Sequence, residues 1–535
     1  MVVTSQETAV EAGLTILKLG GNAIDAAIAT AACLTVVEPC SNGLGGDCFA
    51  LIWDGESLHG LNASGYSPKK WTPERFAGRD TMPESGWESV TVPGQIAGWK
   101  AALERFGSLS MEACLQPAIE AAEEGFTVTP VTAAAWTKGL EIHGHSSAFH
   151  QTFARGSGPG GQPVTGDRVT LPDHGRSLRR IGESLGDDFY HGDLAGRIAS
   201  AALDAGAALD LSDLADCRVD WVTPLQVDAC GVTGHEIPPN GQGIAALAAC
   251  GVAEHLPLDG LQPDDPRAVH LLIEAMKQAF GDLFAEVADS RHMHLDPNEL
   301  LSSELLRKRA ACVDPDRAGP MRTPPPPDTG TVLLVTADAE GRMVSFIQSN
   351  YCGFGSGVVV PGTGIALQNR GSGFVTTPGH PNQVGPRKRP FHTIIPGFWT
   401  RDGKPLGPFG CMGGHMQAQG HLQMWQSLFR WNMSPQACLD SKRWLLEKNG
   451  TVSLETGTDP ALATALRDLG HSVQESPSKH FGGAQLILRQ DDGGYIGATD
   501  PRKDGRIGIL EGPPPHDPPD QGNGSFSSAC SPNSS

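Results

Sequence analysis

The stretch "PDTGTVLLVTADAEGRMVSFIQSN" (327–350) contains two strand-like runs separated by one turn. The apolar and β-branched residues of 332–336 and 343–348 predict two strands, and "DAEG" (338–341) between them predicts a tight turn. The proline-rich run "TPPPP" (323–327), directly upstream, is suited to neither a strand nor a helix. The first predicted strand therefore begins abruptly at Thr331, directly after the small residue Gly330.

Thr331 is a candidate nucleophile because of this position. A threonine hydroxyl is a weak nucleophile at its own pKa, but a threonine at a chain terminus has its own α-amine as a base, with an ordinary pKa of roughly 7.7–8.0. Cutting the Gly330–Thr331 bond would create such a terminus, and Gly330 leaves room for the hydroxyl to attack its carbonyl. Any threonine can also begin a strand, and the spacing alone favours that interpretation.

The bulk composition is that of a globular protein. Of the 535 residues, 39% are hydrophobic and 19% are charged, which suits a large α/β body with a substantial core. The formal net charge of -20 disfavours a nucleic-acid surface and an anionic membrane surface, because both need exposed cations. We therefore expect no nucleic-acid partner and no membrane partner.

The sequence also predicts that no metal or cofactor is needed. The 12 cysteines are scattered without a C-x-x-C pair, which favours reduced thiols over a disulfide scaffold or a zinc site. "HGH" (143–145) and "HMH" (292–294) have no third ligand at a suitable spacing. The longest apolar run near the start, 26–37, is too short to span a bilayer and lacks a signal-peptide pattern, so a cytoplasmic location is expected.

Apolar periodicity and turn residues predict mainly helices before about residue 310 and strands after residue 331. The predicted helices are 7–18, the segment after the capping residue Asn22, 111–124 and 417–430. The predicted strands outside the opening stretch are 48–53, 364–367, 394–399 and 484–488. The end of the chain, 512–535, is rich in Pro, Gly and Ser and predicts a disordered tail.

Eight motifs, in order along nearly the whole chain, resemble the γ-glutamyltranspeptidase family. They are "LGGNAIDAAIA" (19–29), "NGLGGDCFAL" (42–51), "VPGQIAGW" (92–99), "QPAIEAAEEGF" (116–126), "FGSGVVVPGTGIALQN" (354–369), "GPRKRPFHTIIP" (385–396), "MGGHMQAQ" (412–419) and "GATDPRKDG" (497–505). Members of this family are N-terminal nucleophile hydrolases that cut themselves into two subunits. The resemblance implies an α/β fold, a four-layer αββα sandwich forming one large body from two autoprocessed subunits.

The resemblance also implies how the chain is divided. Residues 1–330 correspond to the large (α) subunit, 331–511 to the small (β) subunit with Thr331 at its N-terminus, and 512–535 to the tail. The family's nucleophile is the threonine seven residues before an aspartate that precedes a turn glycine, and here that threonine is Thr331, before Asp338 and Gly341.

Further site residues are implied by the same resemblance. Gly413 and Gly414 correspond to the glycines whose backbone N–H groups form an oxyanion hole, where glycine lets the backbone approach the developing charge closely. Ser349 and Asn350 lie where family members place polar residues that orient the nucleophile, and the local register leaves open which of them fills that role.

The family's grip on a free glutamyl head group is expected to be missing. The arginine that holds the glutamyl carboxylate corresponds to Ser64, and the acid that holds the α-amine corresponds to Gly373. A serine pair that also holds the carboxylate is replaced by His392-Thr393, and the threonine that usually follows the nucleophile is Val332.

Arg370 is the predicted replacement for these groups. Arginine offers a forked pair of donors to a carboxylate, and His392 adds a donor that can carry charge. The pattern "LQNRG" (367–371), "RPFHT" (389–393) and "GGHMQ" (413–417) resembles the oxamate amidohydrolase branch of the family. A structural salt bridge is an equally weighted alternative for Arg370.

The predicted function is a self-cleaving N-terminal threonine amidohydrolase that hydrolyses a small, anionic, oxamate-like amide through an acyl-enzyme on Thr331. Hydrolysis is expected to outweigh acyl transfer. The alternatives are a glutathione hydrolase or γ-glutamyltransferase, a cephalosporin-type acylase, and a family member without catalysis that serves as a binding protein. The expected partners are the small-molecule amide, water and the two subunits of one precursor, with a dimer of such heterodimers as an option.

Overall fold

Two antiparallel sheets, stacked face to face, form the centre of the molecule. The computed structural model of the protein describes residues 1–321 and 330–511. The predicted disordered tail at 512–535 and the proline-rich run at 323–327 lie outside the described residues.

Eighteen strands are present in the described residues. They are β1 (Val2–Thr4), β2 (Asp47–Trp53), β3 (Leu58–Ala63), β4 (Phe126–Thr127), β5 (Arg168–Val169), β6 (Asp220–Val222), β7 (Leu225–Ala229), β8 (Val232–Glu236), β9 (Gly330–Ala337), β10 (Met343–Tyr351), β11 (Gly397–Arg401), β12 (Lys404–Met412), β13 (Trp444–Leu446), β14 (Val452–Glu455), β15 (Val473–Ser476), β16 (Gly483–Arg489), β17 (Tyr495–Thr499) and β18 (Arg506–Gly508).

The helices surround these strands. They are α1 (Glu7–Lys18), α2 (Ala23–Val37), α3 (Gln95–Phe106), α4 (Met111–Glu124), α5 (Pro130–His143), α6 (Ser147–Phe153), α7 (Pro172–Glu183), α8 (Asp187–His191), α9 (Asp193–Asp204), α10 (Leu211–Ala215), α11 (Gly243–Ala253), α12 (Pro266–Glu286), α13 (Pro297–Leu300), α14 (Ser303–Ala310), α15 (Met416–Trp425), α16 (Pro435–Asp440) and α17 (Pro460–Asp468).

The two large sheets are each built from both halves of the chain. The first has seven strands in the order β18-β1-β9-β10-β2-β3-β6, and the second has six in the order β17-β16-β12-β11-β8-β7. Strands from before and after residue 331 are therefore paired with each other in both sheets: β9 lies between β1 and β10, and β8 pairs with β11. The predicted boundary at residue 331 divides the sequence without dividing the fold into two domains.

Side-chain alternation along the central strands gives three apolar layers. In β2, Phe49 and Leu51 face the second sheet, whereas Cys48 and Ala50 face the helices, as the period of two in a strand requires. One apolar core lies between the first sheet and helices such as α2 and α4, one between the two sheets, and one between the second sheet and helices such as α11, α12 and α15. This is the four-layer αββα sandwich implied by the resemblance.

Most elements with a clear pattern form as predicted. Helix α1 has the predicted bounds, and α2 starts after Asn22, whose side chain accepts hydrogen bonds from the N–H groups of Ile24 and Asp25. The predicted strands at 332–336 and 343–348 are the cores of β9 and β10. The helix predicted at 417–430 forms as α15 followed by one π-helical turn, Gln426–Arg430.

Two strand predictions need correction. Residues 364–367 make only isolated bridges, because Gly364 has a left-handed φ of 70° and the segment forms turns instead of a ladder. The strand predicted at 394–399 begins only at Gly397, after Pro396, which has no N–H to donate to a ladder. Within the described ranges, no helix is long and apolar enough to cross a bilayer.

Candidate active site

Thr331 lies near the start of β9, with its side chain directed between the two sheets. It shares this face with Leu333 and Val335, which belong to the core between the sheets. Thr331 is only 2% exposed. A buried hydroxyl at the beginning of a central strand is thus the feature around which the site is built.

The hydroxyls of Thr331 and Ser349 both donate to the carbonyl oxygen of Gly330. The Oγ–O distances are 2.8 Å for Thr331 and 2.7 Å for Ser349. Ser349 lies on the neighbouring strand β10, and the N–H of Tyr351 donates to its hydroxyl at 2.8 Å, which directs the Ser349 proton toward Gly330. Two donors on one carbonyl withdraw electrons from its carbon, so the Gly330 carbonyl is polarised.

Gly413 and Gly414 form a tight loop between β12 and α15. Their φ values of 115° and 54° lie in the left-handed region that favours glycine. The Gly413 carbonyl accepts from the N–H of Met416 at 2.9 Å, which turns the Gly414 N–H away from α15. The hydrogen bonds of the described residues include none donated by the N–H of Gly413 or Gly414, so two donors stand free near the positive end of a helix dipole.

Sheet packing brings this loop to the same edge of the sandwich as Thr331. The Ser345 hydroxyl, opposite Val335 in the first sheet, donates to the Phe409 carbonyl of β12. Farther along, Leu333 lies against Gly410, where a Cβ in place of the glycine hydrogen would be 2.9 Å from the Leu333 side chain. The N-terminal end of β9, which carries Thr331, therefore lies on the same side of the sandwich as the C-terminal end of β12, which leads to Gly413.

We expect Gly413→Ala to lower kcat by roughly 10²–10³-fold, the usual cost of losing an oxyanion donor. A Cβ at Gly413 would lie 2.8 Å from the Cα of Gly482, and the φ of 115° is closed to alanine, so the loop must shift. Gly403→Ala is the matched control, because Gly403 also has a positive φ of 73° but open space around its Cα. Equal kcat values for the two variants would contradict the assignment.

Arg370 is fully buried beside this region. Its Nη1 donates to the Thr393 hydroxyl at 2.8 Å, and its guanidinium lies 4.3 Å from the centre of the Tyr351 ring. Its Nε and Nη2 have no hydrogen-bond partner among the described residues, although the side chain is 0% exposed. Burial lowers the pKa of Arg370 to about 10, so the guanidinium stays charged at neutral pH.

The Gln242 side chain links the Gly413–Gly414 loop to Thr393, the residue that contacts Arg370. Its Nε2 donates to the carbonyls of Thr393 and Gly414, the latter at 2.8 Å. Its Oε1 accepts from Nδ1 of His415 at 3.0 Å. The two parts of the site are therefore held at a fixed separation by one buried amide.

Asp47 is a member of the site that the sequence analysis did not single out. Its Oδ1 accepts from the N–H groups of Gly65 and Gly94 at 3.1 and 3.0 Å, and its Oδ2 lies 3.3 Å from Nε2 of His392. Burial raises the pKa of Asp47 to about 6, against the opposing effect of Arg370. Its position in "GGD" (45–47), within a quoted motif, was the available signal.

His392 is neutral in this arrangement. The N–H of Ile394 donates to its Nδ1, so Nε2 carries the ring proton and donates to Asp47. Burial, followed by the positive charges of Arg370 and Arg389, holds the pKa of His392 well below its usual range. The prediction that His392 can carry charge is therefore wrong at neutral pH, because this ring is desolvated and next to two guanidinium groups.

The remaining predicted positions are placed as follows. Ser64 is buried, and its hydroxyl donates to the Asn62 side chain at 2.8 Å. At Gly373, a Cβ would lie 2.6 Å from the Phe391 carbonyl oxygen, so no acidic side chain fits there. Asn350 points to the opposite face of β10 from Ser349, against the Gly43–Gly46 loop, and its side-chain atoms have no partner in the described part of the chain.

One buried group has the composition of a metal site. His270, Glu274 and His471 bring their ligand atoms within 4.8 Å of one another. His270 Nδ1 and His471 Nε2 lie 2.8 Å apart, a hydrogen-bond distance, and the Lys277 ammonium is 2.7 Å from the Glu274 carboxylate. The lysine already balances the carboxylate, so these residues form a hydrogen-bonded ion-pair network that needs no metal.

Comparison with known proteins places this geometry in context. The family model described as gamma-glutamyltranspeptidase matches residues 9–510. A glutathione hydrolase-like YwrD proenzyme of Bacillus subtilis is 33% identical, over 95% of this chain and 98% of that protein. An oxamate amidohydrolase proenzyme of Klebsiella pneumoniae is 35% identical, over 94% of this chain and 97% of that protein.

A solved structure has the same fold over nearly the whole chain. The crystal structure of a cephalosporin acylase from Bacillus halodurans superposes with a TM-score of 0.90 at 43% identity, covering 96% of each chain.

Proposed function

This chain belongs to the γ-glutamyltranspeptidase family of amide-hydrolysing enzymes, and from that premise we propose that Thr331 is its nucleophile and that Gly330–Thr331 is the bond it cuts in itself. The Thr331 hydroxyl attacks the Gly330 carbonyl carbon, and the peptide nitrogen leaves as the new α-amine. Water then hydrolyses the resulting ester. The products are a Gly330 carboxylate and an N-terminal Thr331.

The same groups then carry turnover. The Thr331 amine accepts the hydroxyl proton as Oγ attacks the substrate amide, and it passes that proton to the leaving amine. The N–H groups of Gly413 and Gly414 stabilise the oxyanion. Removal of the Gly330 carbonyl frees the hydroxyls of Thr331 and Ser349, which it occupies before cleavage.

The substrate we propose is a small amide with a carboxylate close to the reacting carbonyl, with oxamate as the first candidate. The observation that carries this proposal is Arg370, a buried cation with two N–H groups unpartnered among the described residues, beside the Thr393 hydroxyl. A buried cation without an anion costs folding free energy. A substrate carboxylate bound to Arg370 would neutralise this charge and accept hydrogen bonds from the guanidinium. His392 supports this region by donating a hydrogen bond to Asp47.

The cytoplasm remains the predicted location.

A γ-glutamyl substrate is the second candidate, and Asp47 is what favours it. The Asp47 carboxylate could accept a hydrogen bond from the α-amine of a γ-glutamyl substrate. An ammonium bound to Asp47 would also lie near the Arg370 guanidinium, however, and the two positive charges would repel each other. A simple anionic amide therefore fits the free groups better.

A panel of three substrates tests this choice. We expect ammonia release from oxamate to exceed amine release from γ-glutamyl p-nitroanilide and from a glutaryl amide of a cephalosporin nucleus, compared as kcat/KM. A higher kcat/KM for γ-glutamyl p-nitroanilide would overturn the proposed substrate class while leaving the nucleophile assignment intact.

We expect Ser349→Ala to slow self-cleavage by roughly 10²-fold, because one of the two donors on the Gly330 carbonyl is lost. The conversion of full-length chain to fragments, followed by gel electrophoresis after synthesis, measures this rate. Ser345→Ala is the matched control, since Ser345 lies on the same face of β10 but donates to Phe409. Cleavage of Ser349→Ala at the wild-type rate would remove Ser349 from the mechanism.

A further inference from the structure

Asp47 and Arg370 are oppositely charged buried residues, and the ion pairs of the described residues include none between them. Both are fully buried, and each alters the pKa of the other. Within the described residues, Oδ2 of Asp47 accepts a hydrogen bond from the neutral His392 ring, and Nε and Nη2 of Arg370 have no partner. His392, which contacts Asp47, and Thr393, which contacts Arg370, are adjacent in the chain, so the carboxylate and the guanidinium lie in the same buried polar region.

The other titratable groups around Asp47 are silent near neutral pH. The charged and titratable groups that face it are Arg370, Arg389, His392, Cys48 and Cys217. Arg370 stays protonated, His392 stays neutral, and burial raises the pKa of both thiols above the neutral range. Asp47 is therefore the member of this set that can change its charge there.

A carboxylate bound to Arg370 would change the surroundings of Asp47. The bound anion neutralises the guanidinium that stabilises the Asp47 carboxylate, and it brings a second negative charge into a desolvated space. A protonated Asp47, in contrast, has an O–H to donate to the anion while Oδ1 keeps its two backbone N–H partners. The neutral acid is the form that suits the occupied pocket.

We propose that Asp47 makes this a proton-coupled anion site, in which a carboxylate binds to Arg370 together with one proton taken up by Asp47. This inference rests on the proposed function, since it assumes that Arg370 binds the substrate carboxylate. The proton comes from solvent, binds to Oδ2 of Asp47, and returns when the anion leaves. Asp47 is then a residue that sets specificity, because anions gain from its protonation and neutral amides do not.

The direction of the pH dependence follows from the order of the two pKa values. The pKa of Asp47 is about 6. A carboxylate bound to Arg370 raises the pKa of Asp47 further, because it adds a negative charge nearby. Between these two values, binding takes up a proton, so the dissociation constant for an anion rises with pH, by up to about tenfold per pH unit. Below pH 6 the acid is already protonated, and the dissociation constant becomes independent of pH.

The test uses the processed wild-type enzyme and two non-reactive dicarboxylates, oxalate and glutarate. Titration calorimetry at pH 7 in buffers of different ionisation enthalpy counts the protons taken up on binding. We expect up to one proton per bound dianion and a dissociation constant that rises between pH 6 and pH 8. Binding with no proton uptake overturns the coupling alone, whereas failure of both dicarboxylates to bind overturns the anion pocket and the coupling with it.

Asp47→Asn gives a second, independent measure. Asparagine keeps an acceptor for the N–H groups of Gly65 and Gly94 but cannot ionise, so we expect proton uptake to vanish and the affinity to stay constant across pH 6–8. Asp228→Asn, on the exposed side of β7 where the carboxylate accepts from Thr233, should keep the wild-type proton count. Retention of proton uptake in Asp47→Asn overturns the assignment to Asp47.

Discussion

Thr331→Ala is expected to remain a single chain near 56.3 kDa with amidase activity reduced by a factor on the order of 10⁴ or more, as when other hydrolases lose their nucleophile. The wild-type protein should separate on a denaturing gel into fragments 1–330 and 331–535. Two effects combine in this variant, because the hydroxyl is required for self-cleavage and cleavage is required to free the amine that acts as the base. Mass spectrometry of the second fragment should give a sequence that begins at residue 331.

The control for this experiment is Thr336→Ala on the same strand. Thr336 is buried as Thr331 is, but its hydroxyl donates to the Ala23 carbonyl on the helix side of the first sheet. Its loss should cost stability while leaving cleavage complete. The proposal fails if Thr331→Ala is still cut after Gly330, or if active wild-type protein consists of one unbroken chain.

Arg370→Met is expected to lower kcat/KM for an anionic amide by about 10²–10³-fold while costing the protein less stability than the loss of an ion-paired buried arginine. The loss of activity corresponds to about 3–4 kcal/mol, within the usual cost of removing one partner of a buried, hydrogen-bonded charge pair. The stability cost is small because Nε and Nη2 of Arg370 have no partner among the described residues, so few hydrogen bonds are lost with the side chain. Asp47 loses a nearby positive charge but can take up a proton instead.

Comparison with an ion-paired buried arginine separates a binding role of Arg370 from a structural salt bridge. Arg443→Met is the contrasting variant, since Arg443 is also buried but lies 2.6 Å from Asp500. Its loss removes one of the two ion pairs of Asp500, which keeps Arg502, and should reduce the free energy of unfolding by about 3 kcal/mol without changing the preference for anionic over neutral amides. If Arg370→Met destabilises the protein as Arg443→Met does and keeps that preference, Arg370 is structural.

Local sequence patterns predicted the elements whose stability is local. The caps of α1 and α2, the apolar runs of β9 and β10 and the turn between them each depend on residues that are neighbours in sequence. Strand β6 was not predicted inside the helical first half, because its partner β3 is distant in sequence. β7 and β8 were also missed, although they form a local hairpin, and β8 pairs on its other edge with the distant β11. The segment 364–367 looked like a strand, but its glycine takes a left-handed conformation that pattern alone does not show.

Sequence motifs predicted most of the proposed site residues. The features that were not predicted depend on burial in the folded protein. Thr331, Gly413 and Arg370 were each marked by a motif and a residue type. The role of Asp47 was not predicted, because its neighbours Gly65, Gly94 and His392 are far apart in sequence. The neutrality of His392 was missed for the same physical reason, since desolvation is a property of the folded surroundings and not of the residue.

The pairing of strands from both sides of residue 331 has one more consequence. β9 is hydrogen-bonded on both edges, to β1 from the first part of the chain and to β10 from its own part. A nick at its start detaches only Gly330, opposite Tyr351, and leaves the other pairs of both ladders in place, so dilution should never separate the two pieces. Self-cleavage is therefore irreversible in practice. If the two fragments were unfolded and separated, each would expose unpaired sheet edges. They would also have to rebuild a shared core without the peptide bond that first joined them.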